Sequence, residues 1–482
     1  MIDYVEVIFY LTDLLMKSAT TRAPNFWVCC SAGMSEVHSL DRRYIVGGKI
    51  TLQEAIAGSD QIMIDSVKDM VSDTWSNPTD ARVAVVTFKT NVLMGERARS
   101  VNASIQPEYY TYGYEPSPTE LGFCIGSVTK AFTGTMLAWR TVNDDIALGD
   151  PTDPGQDGGP GTTTYNLDAL AQQWLPRRAK HHDGRISTVT LGQLATMSSC
   201  MIDNLADQKV QDHGLYNGEN NPDVAPNHEQ VNAWCDDSNW KRPRDCSPEK
   251  KANYSNWGSL TLGFAVTQPD GYDYDTTLSN LINGPLGLSS ATNTDVNTAT
   301  WQGYDKRGNP APGKAHGIRS TRSDMTLFVG SYLYYMMKTM YADLQSDTKD
   351  GLWSRITQLA LSPPYSGVNW ALDWGIGTIN IKNMKRNNVP LWSKNGMTPK
   401  QGFSSYVAFA QMATQLPGIT ILGQVGVIVL VNKNMQGSAP NPVAYGNAVI
   451  DYLVGNTPKP IWEPKSDPAD DLESDDPVKG DV

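Results

Sequence analysis

The chain has 482 residues, 40% hydrophobic and 19% charged, with a formal net charge of −12. This composition supports a packed core in one large catalytic unit carrying an inserted subdomain, and it excludes a wholly disordered chain. No basic stripe is present, which excludes nucleic acid as a partner, and six cysteines are too few to be the main framework of so long a chain.

At the N-terminus, MIDYVEVIFYLTDLLMK places Asp3 and Glu6 before any Lys or Arg, and Asp13 interrupts a short apolar run. A signal peptide needs a basic start and an unbroken apolar segment, so none is recognisable. No run is long enough to span a membrane. Residues 1–45 therefore read as an extension, with the compartment left open.

From Thr51 the pattern becomes globular. Met63, Ile64, Val67, Met70 and Val71 have the spacing of an amphipathic helix, and Val83–Val86 reads as a buried strand. The Tyr/Gly segment YYTYGYEPSP reads as a loop leading to Phe123-Cys124-Ile125-Gly126. Beyond Gly126, Val128, Ala131, Phe132, Thr135, Met136 and Trp139 recur at helical spacing, predicting a buried helix that starts at or near Ser127.

Residues 150–164 are rich in Gly, Pro and Asp and mark a boundary or long surface loop. From Asn166 to Asn297, short helical patterns alternate with long polar loops, one of them flanked by Cys235 and Cys246. That pair would close the loop if bonded, which would hint at an oxidising compartment. Strand patterns return at Trp370–Ile381, Ser404–Ala410 and Gly423–Val431, and a helix at Tyr445–Leu453. From Glu463 onward, eight acids against two bases supply −6 of the net charge, in a segment with too little apolar surface to order itself. The expected fold class is α/β (α+β): an antiparallel sheet flanked by helices, built from both ends of the chain, with a mostly helical insertion.

The chemistry concentrates at Ser127-Val-Thr-Lys130. A serine hydroxyl is a poor nucleophile until a base takes its proton. A lysine serves as that base only where burial or neighbouring cations make an ammonium easier to deprotonate. The same Ser-x-x-Lys spacing recurs at Ser238/Lys241, Ser247/Lys250 and Ser346/Lys349, in polar stretches where solvated side chains are the simpler reading. At Ser127 the competing reading is a helix-capping serine followed by an incidental lysine. Two further segments bear on the choice. Tyr254-Ser-Asn256 lies at a loop-to-helix junction, and Lys394-Asn395-Gly396 reads as a tight turn ahead of a strand. Taken singly, each also reads as a surface turn.

In this order, Ser127-x-x-Lys130, Tyr254-x-Asn256 and Lys394-x-Gly396 resemble the serine β-lactamase and penicillin-binding-protein superfamily, nearest its class C-like branch. The resemblance extends from Val46 to Gly455 and includes Val189-Thr-Leu-Gly-Gln-Leu-Ala-Thr, Pro285-Leu-Gly-Leu and Gly317-Ile-Arg-Ser-Thr. It implies a catalytic domain over 46–455, with an α/β part at about 46–148 and 305–455, a helical insertion at about 149–304, and an acidic tail over 456–482. It also implies a serine hydrolase in which Ser127 is the nucleophile and Lys130 and Tyr254 share the proton transfers. Asn256 would orient the substrate or Lys130, and Lys394 would present positive potential to a carboxylate. The backbone N–H groups of Ser127 and Met397 would form the oxyanion hole, bordered by Asn395 and Gly396.

Substrates would be small amides, esters or short peptides: a β-lactam, a D-amino peptide or a carboxylic ester. Biosynthetic acyl transfer and non-hydrolytic penicillin binding are the alternatives. The branch's location is periplasmic or secreted. Two departures weigh against β-lactam hydrolysis: Asn395 stands where the family usually has Thr, and Met197-Ser-Ser-Cys-Met replaces its His-Thr-Ser-Gly-Leu segment. No cofactor is expected. His181-His182 reads as a solvated pair and not as a metal site. Gly308 to Lys314 approximates a phosphate-binding loop but lacks its Ser/Thr and carries two prolines. Oligomeric state is not legible.

Overall fold

The computed structural model describes residues 60–95, 105–114, 120–143, 165–174, 188–199, 252, 254–271, 273–289, 291, 300–311, 317–339, 348–381, 388–398, 401–416, 419–435 and 441–456. The N-terminal extension, the acidic tail beyond residue 456, the Cys235–Cys246 segment, the serines at 238, 247 and 346, and His316 lie outside the described residues.

Six strands form one antiparallel sheet in the order β2-β1-β8-β7-β6-β5. They are β1 (Val83–Gly95), β2 (Pro107–Tyr112), β5 (Gly375–Asn380), β6 (Asn388–Thr398), β7 (Phe403–Leu416) and β8 (Ile419–Val431). The β7–β8 hairpin runs in register from Ser404↔Val431 to Leu416↔Ile419. On its other side, β8 pairs with β1 from Val83↔Val431 to Gly95↔Ile419. Strands from before residue 113 and after residue 374 thus share one sheet, as the expected fold class requires.

Successive strand side chains point to opposite faces, yet Val83, Ala84, Val85 and Val86 are all fully buried. The sheet is covered on both sides, so β1 reads as a continuous apolar run. On one face, Met63, Val67, Met70 and Val71 of helix α1 (Gln61–Thr74) pack with Tyr445, Val449, Ile450 and Leu453 of the C-terminal helix (Pro442–Leu453). Tyr445 also shares a 2.8 Å hydrogen bond with Ser66. On the other face lies an aromatic layer: Phe409 packs edge-on against Trp374 and stacks with Trp392, and Phe328 stacks 3.8 Å from Phe132.

Those last two phenylalanines belong to helices buried almost all round, α2 (Thr129–Val142) and Arg322–Lys338. A helix with no solvated stripe belongs inside a protein. Helices Asn256–Thr267 and Tyr274–Leu278 stand beside α2, and Leu191–Ala195 packs against the first of them. Among the described residues between 149 and 304, helices and isolated bridges occur and no strand does. A two-stranded ladder, β3 (Phe123–Cys124) with β4 (Arg319–Ser320), carries the chain to Ser127. No helix of the described residues is long and apolar enough to cross a membrane.

Three local expectations change. The segment read as a loop at 109–112 is the edge strand β2, because consecutive Tyr and Thr side chains fit a half-buried pleat. The strand expected from Trp370 starts only at Gly375. Asp373 adopts φ +62°, and Trp370 bridges back to Gly375 in a tight reversal. Lys394-Asn395-Gly396 lies inside β6 and forms no turn.

Candidate active site

The approach to Ser127 is set by backbone packing. Gly126 has φ +52°, and a side chain there would come within 2.7 Å of the Met397 backbone nitrogen. Likewise, a Cβ at Gly396 would fall 1.9 Å from the Ile125 carbonyl oxygen. The two glycines let β6 lie directly against the Ile125–Ser127 segment. Ser405 Oγ, on the neighbouring strand, fastens this junction by donating to Ile125 O at 2.8 Å. The backbone of Met397 is thereby brought beside Ser127.

Gly126–Val128 form a 3-10 turn that continues into α2. Lys130 is three residues past Ser127, on the same face, and is mostly buried. Its ammonium donates to Ser127 Oγ at 3.1 Å and to Asn256 Oδ1 at 2.8 Å. Asn256 is the first residue of helix Asn256–Thr267, whose cap is Ser255: its hydroxyl accepts from the Gly258 N–H at 2.9 Å. Tyr254 precedes that cap, and its phenol oxygen lies 2.6 Å from Ser127 Oγ.

Lys394 enters from the sheet. It projects from the middle of β6, opposite Val407, and is 3% exposed. Among the described residues its Nζ has no hydrogen-bond partner, and it sits between rings, 4.5 Å from the Trp370 centroid and 5.1 Å from that of Tyr254. Lys130 Nζ lies 5.1 Å from the same tyrosine ring. Two ammonium groups thus flank one phenol, a favourable electrostatic arrangement for a ring with a negative face.

Burial, then the nearby charge of Lys130, pushes the Lys394 ammonium down to about 7, against the opposing charge of Asp373. Burial pushes the Asp373 carboxyl up to about 7, against the two lysines and a hydrogen bond from Ser259. Asp373 is fully buried.

Of the residues expected from the sequence, Ser127, Lys130, Tyr254, Asn256 and Lys394 converge. Gly396 and Met397 reach the group through the backbone. Asn395, exposed, projects from the opposite face of β6 to Lys394. The sequence reading missed Trp370 and Asp373. The available signal was an aspartate set in the apolar run Trp370-Ala-Leu-Asp-Trp374. Among the described residues, no cluster of three or more His, Cys, Asp or Glu side chains is placed to hold a metal ion. The arrangement sets the Ser127 hydroxyl within hydrogen-bond reach of a phenol and a lysine nitrogen, groups that exchange protons with a serine.

Comparison with known proteins adds the following. The family profile described as Beta-lactamase matches residues 104–448. A beta-lactamase of Escherichia coli (strain K12) is 24% identical over 374 residues, spanning 70% of this chain and 82% of that protein. Among solved structures, a beta-lactamase/D-alanine carboxypeptidase from Pseudomonas syringae superposes with a TM-score of 0.52 at 16% identity, covering 82% of this chain and 98% of the other. A class C beta-lactamase mutant gives a TM-score of 0.51 at 17% identity, covering 81% and 96%. At such identities the two structures speak to the fold alone.

Proposed function

The chain belongs to the beta-lactamase family of serine hydrolases, and from that premise we propose that it cleaves a small amide or ester through an acyl-enzyme on Ser127. The observation that carries this reading is the position of Ser127 Oγ, within hydrogen-bond reach of both Tyr254 OH and Lys130 Nζ. Each is a group able to accept the serine proton as the oxygen attacks.

In the proposed sequence the Tyr254–Lys130 pair starts one proton short, as phenolate beside ammonium or phenol beside free amine; Ser127 Oγ bonds to the carbonyl carbon and its proton fills that vacancy. The negative charge that forms on the carbonyl oxygen faces the backbone N–H groups of Ser127 and Met397. Donors of this kind typically lower such a barrier by about 3–4 kcal/mol each. The leaving alcohol or amine takes the proton back from the pair as its bond to carbon breaks. Water, activated by the same groups, then hydrolyses the acyl-serine. Asn256 accepts from Lys130 and fixes its ammonium between the two sites, and Lys394 supplies positive potential at Tyr254.

A relative of this chain is a beta-lactamase, which makes β-lactams the substrates to try first, beside the D-amino peptides and esters that the sequence motifs imply. The deciding experiment is intact-mass spectrometry of the protein exposed to a fluorescent penicillin and to a short p-nitrophenyl ester. The expected result is an acyl adduct that maps to Ser127, turns over in water and is absent from Ser127→Ala. Labelling that persists in Ser127→Ala overturns the assignment. A penicillin adduct that never turns over identifies a binding module, and turnover that depends on an added amine or alcohol identifies an acyltransferase.

A further inference from the structure

We propose that Asp373 is a positioning residue for this reaction, its buried carboxylate being the counter-charge to the buried Lys394 that stands over Tyr254. The proposal rests on the serine-hydrolase reading above. It starts from a conformational oddity. Asp373 has φ +62°, a left-handed backbone that glycine adopts freely and aspartate tolerates among the few other residues. A turn-forming aspartate normally stands in solvent and bonds its own loop. This one is fully buried: its Oδ1 accepts from Ser259 Oγ at a long 3.5 Å, and its Oδ2 has no hydrogen-bond partner among the described residues. A buried carboxylate oxygen left unpaired carries a desolvation penalty that a bare turn role does not explain.

Its surroundings supply the explanation. The Asp373 backbone N–H donates to the Ala195 carbonyl at 2.7 Å, which pins the residue in place. Gly134 of α2 faces it: a Cβ at Gly134 would lie 3.2 Å from Asp373 Cβ and 2.2 Å from the Leu372 carbonyl oxygen. Gly134 is one turn beyond Lys130, on the same helix face. Ser259 stands three residues after Asn256, again on one face. Asp373 therefore sits where the helices bearing Lys130 and Asn256 meet, and Gly375, two residues on, pairs with Ser393 beside Lys394.

The charged and titratable groups that act on this carboxyl are Lys394 from β6, Lys130 from α2 and Tyr274 from helix Tyr274–Leu278. Lys394 Nζ, lacking any hydrogen-bond acceptor among the described residues, has the Asp373 charge and two ring faces to offset its burial. Asp373 and Lys394 therefore hold their protons as a pair, and removing the negative charge makes the Lys394 ammonium easier to deprotonate.

The test is Asp373→Asn, which keeps the shape and the left-handed backbone and removes the charge, with Asp373→Gly as a second variant suited to that backbone. For a p-nitrophenyl ester, both limbs of the pH profile of kcat/KM are expected to move to lower pH by roughly 1–3 units in each variant, the usual effect of one close opposite charge. At fixed pH, kcat should fall more than KM changes. A residue that only shapes the loop would lower amplitude and melting temperature with both limbs unmoved, and that result overturns the proposal. A second measurement needs no turnover. In a thermal-melting cycle of Asp373→Asn, Lys394→Met and the double variant of the full chain, the two single changes should be coupled, the double variant melting higher than the sum of the two single shifts gives. Additive losses overturn the proposal even if Ser127 acylates as expected. Conversely, a coupled cycle with no labelling of Ser127 would leave the Asp373–Lys394 pair standing and the hydrolase reading overturned.

Discussion

The hydroxyl oxygen of Ser127 lies 2.6 Å from the phenol oxygen of Tyr254, although 127 residues of chain separate the two. Lys130 serves both, donating to the serine and lying over the tyrosine ring. A contact this short between two hydroxyls is a ready path for a proton. It is bought with little local strain, because each partner stands at the start of a helix that packing already fixes.

Replacing Tyr254 with Phe removes that path and keeps the ring between its two ammonium neighbours. The expected loss is about 10²–10⁴-fold in kcat, the usual contribution of general acid–base catalysis, with KM nearly unchanged. Steady-state kinetics on an ester separate the two. A variant that keeps full kcat would make Tyr254 a packing residue and leave the proton work to Lys130.

Lys394 reaches the site as a buried cation stacked on Trp370 and Tyr254. From the resemblance alone it would face a substrate carboxylate. Its burial under Trp370 leads to a different expectation, that Lys394→Met slows neutral esters and carboxylate-bearing substrates alike. The two losses should agree within about tenfold, the change that ~1.4 kcal/mol of selective binding would make. Measuring kcat/KM for a matched pair of substrates decides it, and a much larger loss on the carboxylate would restore the first role.

A methyl group at position 396 has nowhere to go, since the backbone oxygen of Ile125 stands 1.9 Å from the Cβ it would add. Gly396→Ala should destabilise the protein by about 1–3 kcal/mol, as overpacking does in a filled core. It should also reduce turnover, because the strand would be pushed off the segment that carries Ser127. Urea denaturation and ester kinetics on one preparation test both effects, and a fully stable, fully active variant would show that β6 shifts without consequence.

The buried pair also gives the stability of the protein a pH signature. Asp373 titrates at 3.8 in the ordinary case and at about 7 when folded, so its burden appears as pH rises from about 4 to about 7. Lys394 titrates ordinarily at 10.5 and at about 7 when folded, so its burden appears as pH falls from about 10 to about 7. The two burdens coincide near pH 7. An Asp373→Asn/Lys394→Met double variant should therefore gain most in melting temperature over the wild type near pH 7, with a smaller gain on either side. Melting curves from pH 4 to 10 check this; a difference that is flat with pH would mean that neither group is perturbed.

Much of the site was legible in the chain because its parts are local. Ser127 and Lys130 stand three residues apart at the start of an apolar helix, and Tyr254 and Asn256 flank a helix cap. Each such spacing is fixed by backbone geometry within one turn. The core was legible for the same reason: the helical spacing of Met63 to Val71 and the apolar runs at Val83 and Val425 need no partner to be recognised.

Other features depended on contacts between distant segments. Lys394-Asn395-Gly396 reads as a turn until β7 pairs with it and draws it into a strand, with Ile125 packed against Gly396. Residues 109–112 read as a loop until β1 offers an edge. Asp373 carries no periodic signal, since its left-handed backbone and its burial both arise where α2 and the Asn256 helix meet. The sequence by itself determined which side chains carry the proposed chemistry and the class of fold that holds them. The tertiary structure alone decided which cations lie buried together and which acid opposes them, because desolvation and charge act through space, between residues the chain keeps far apart.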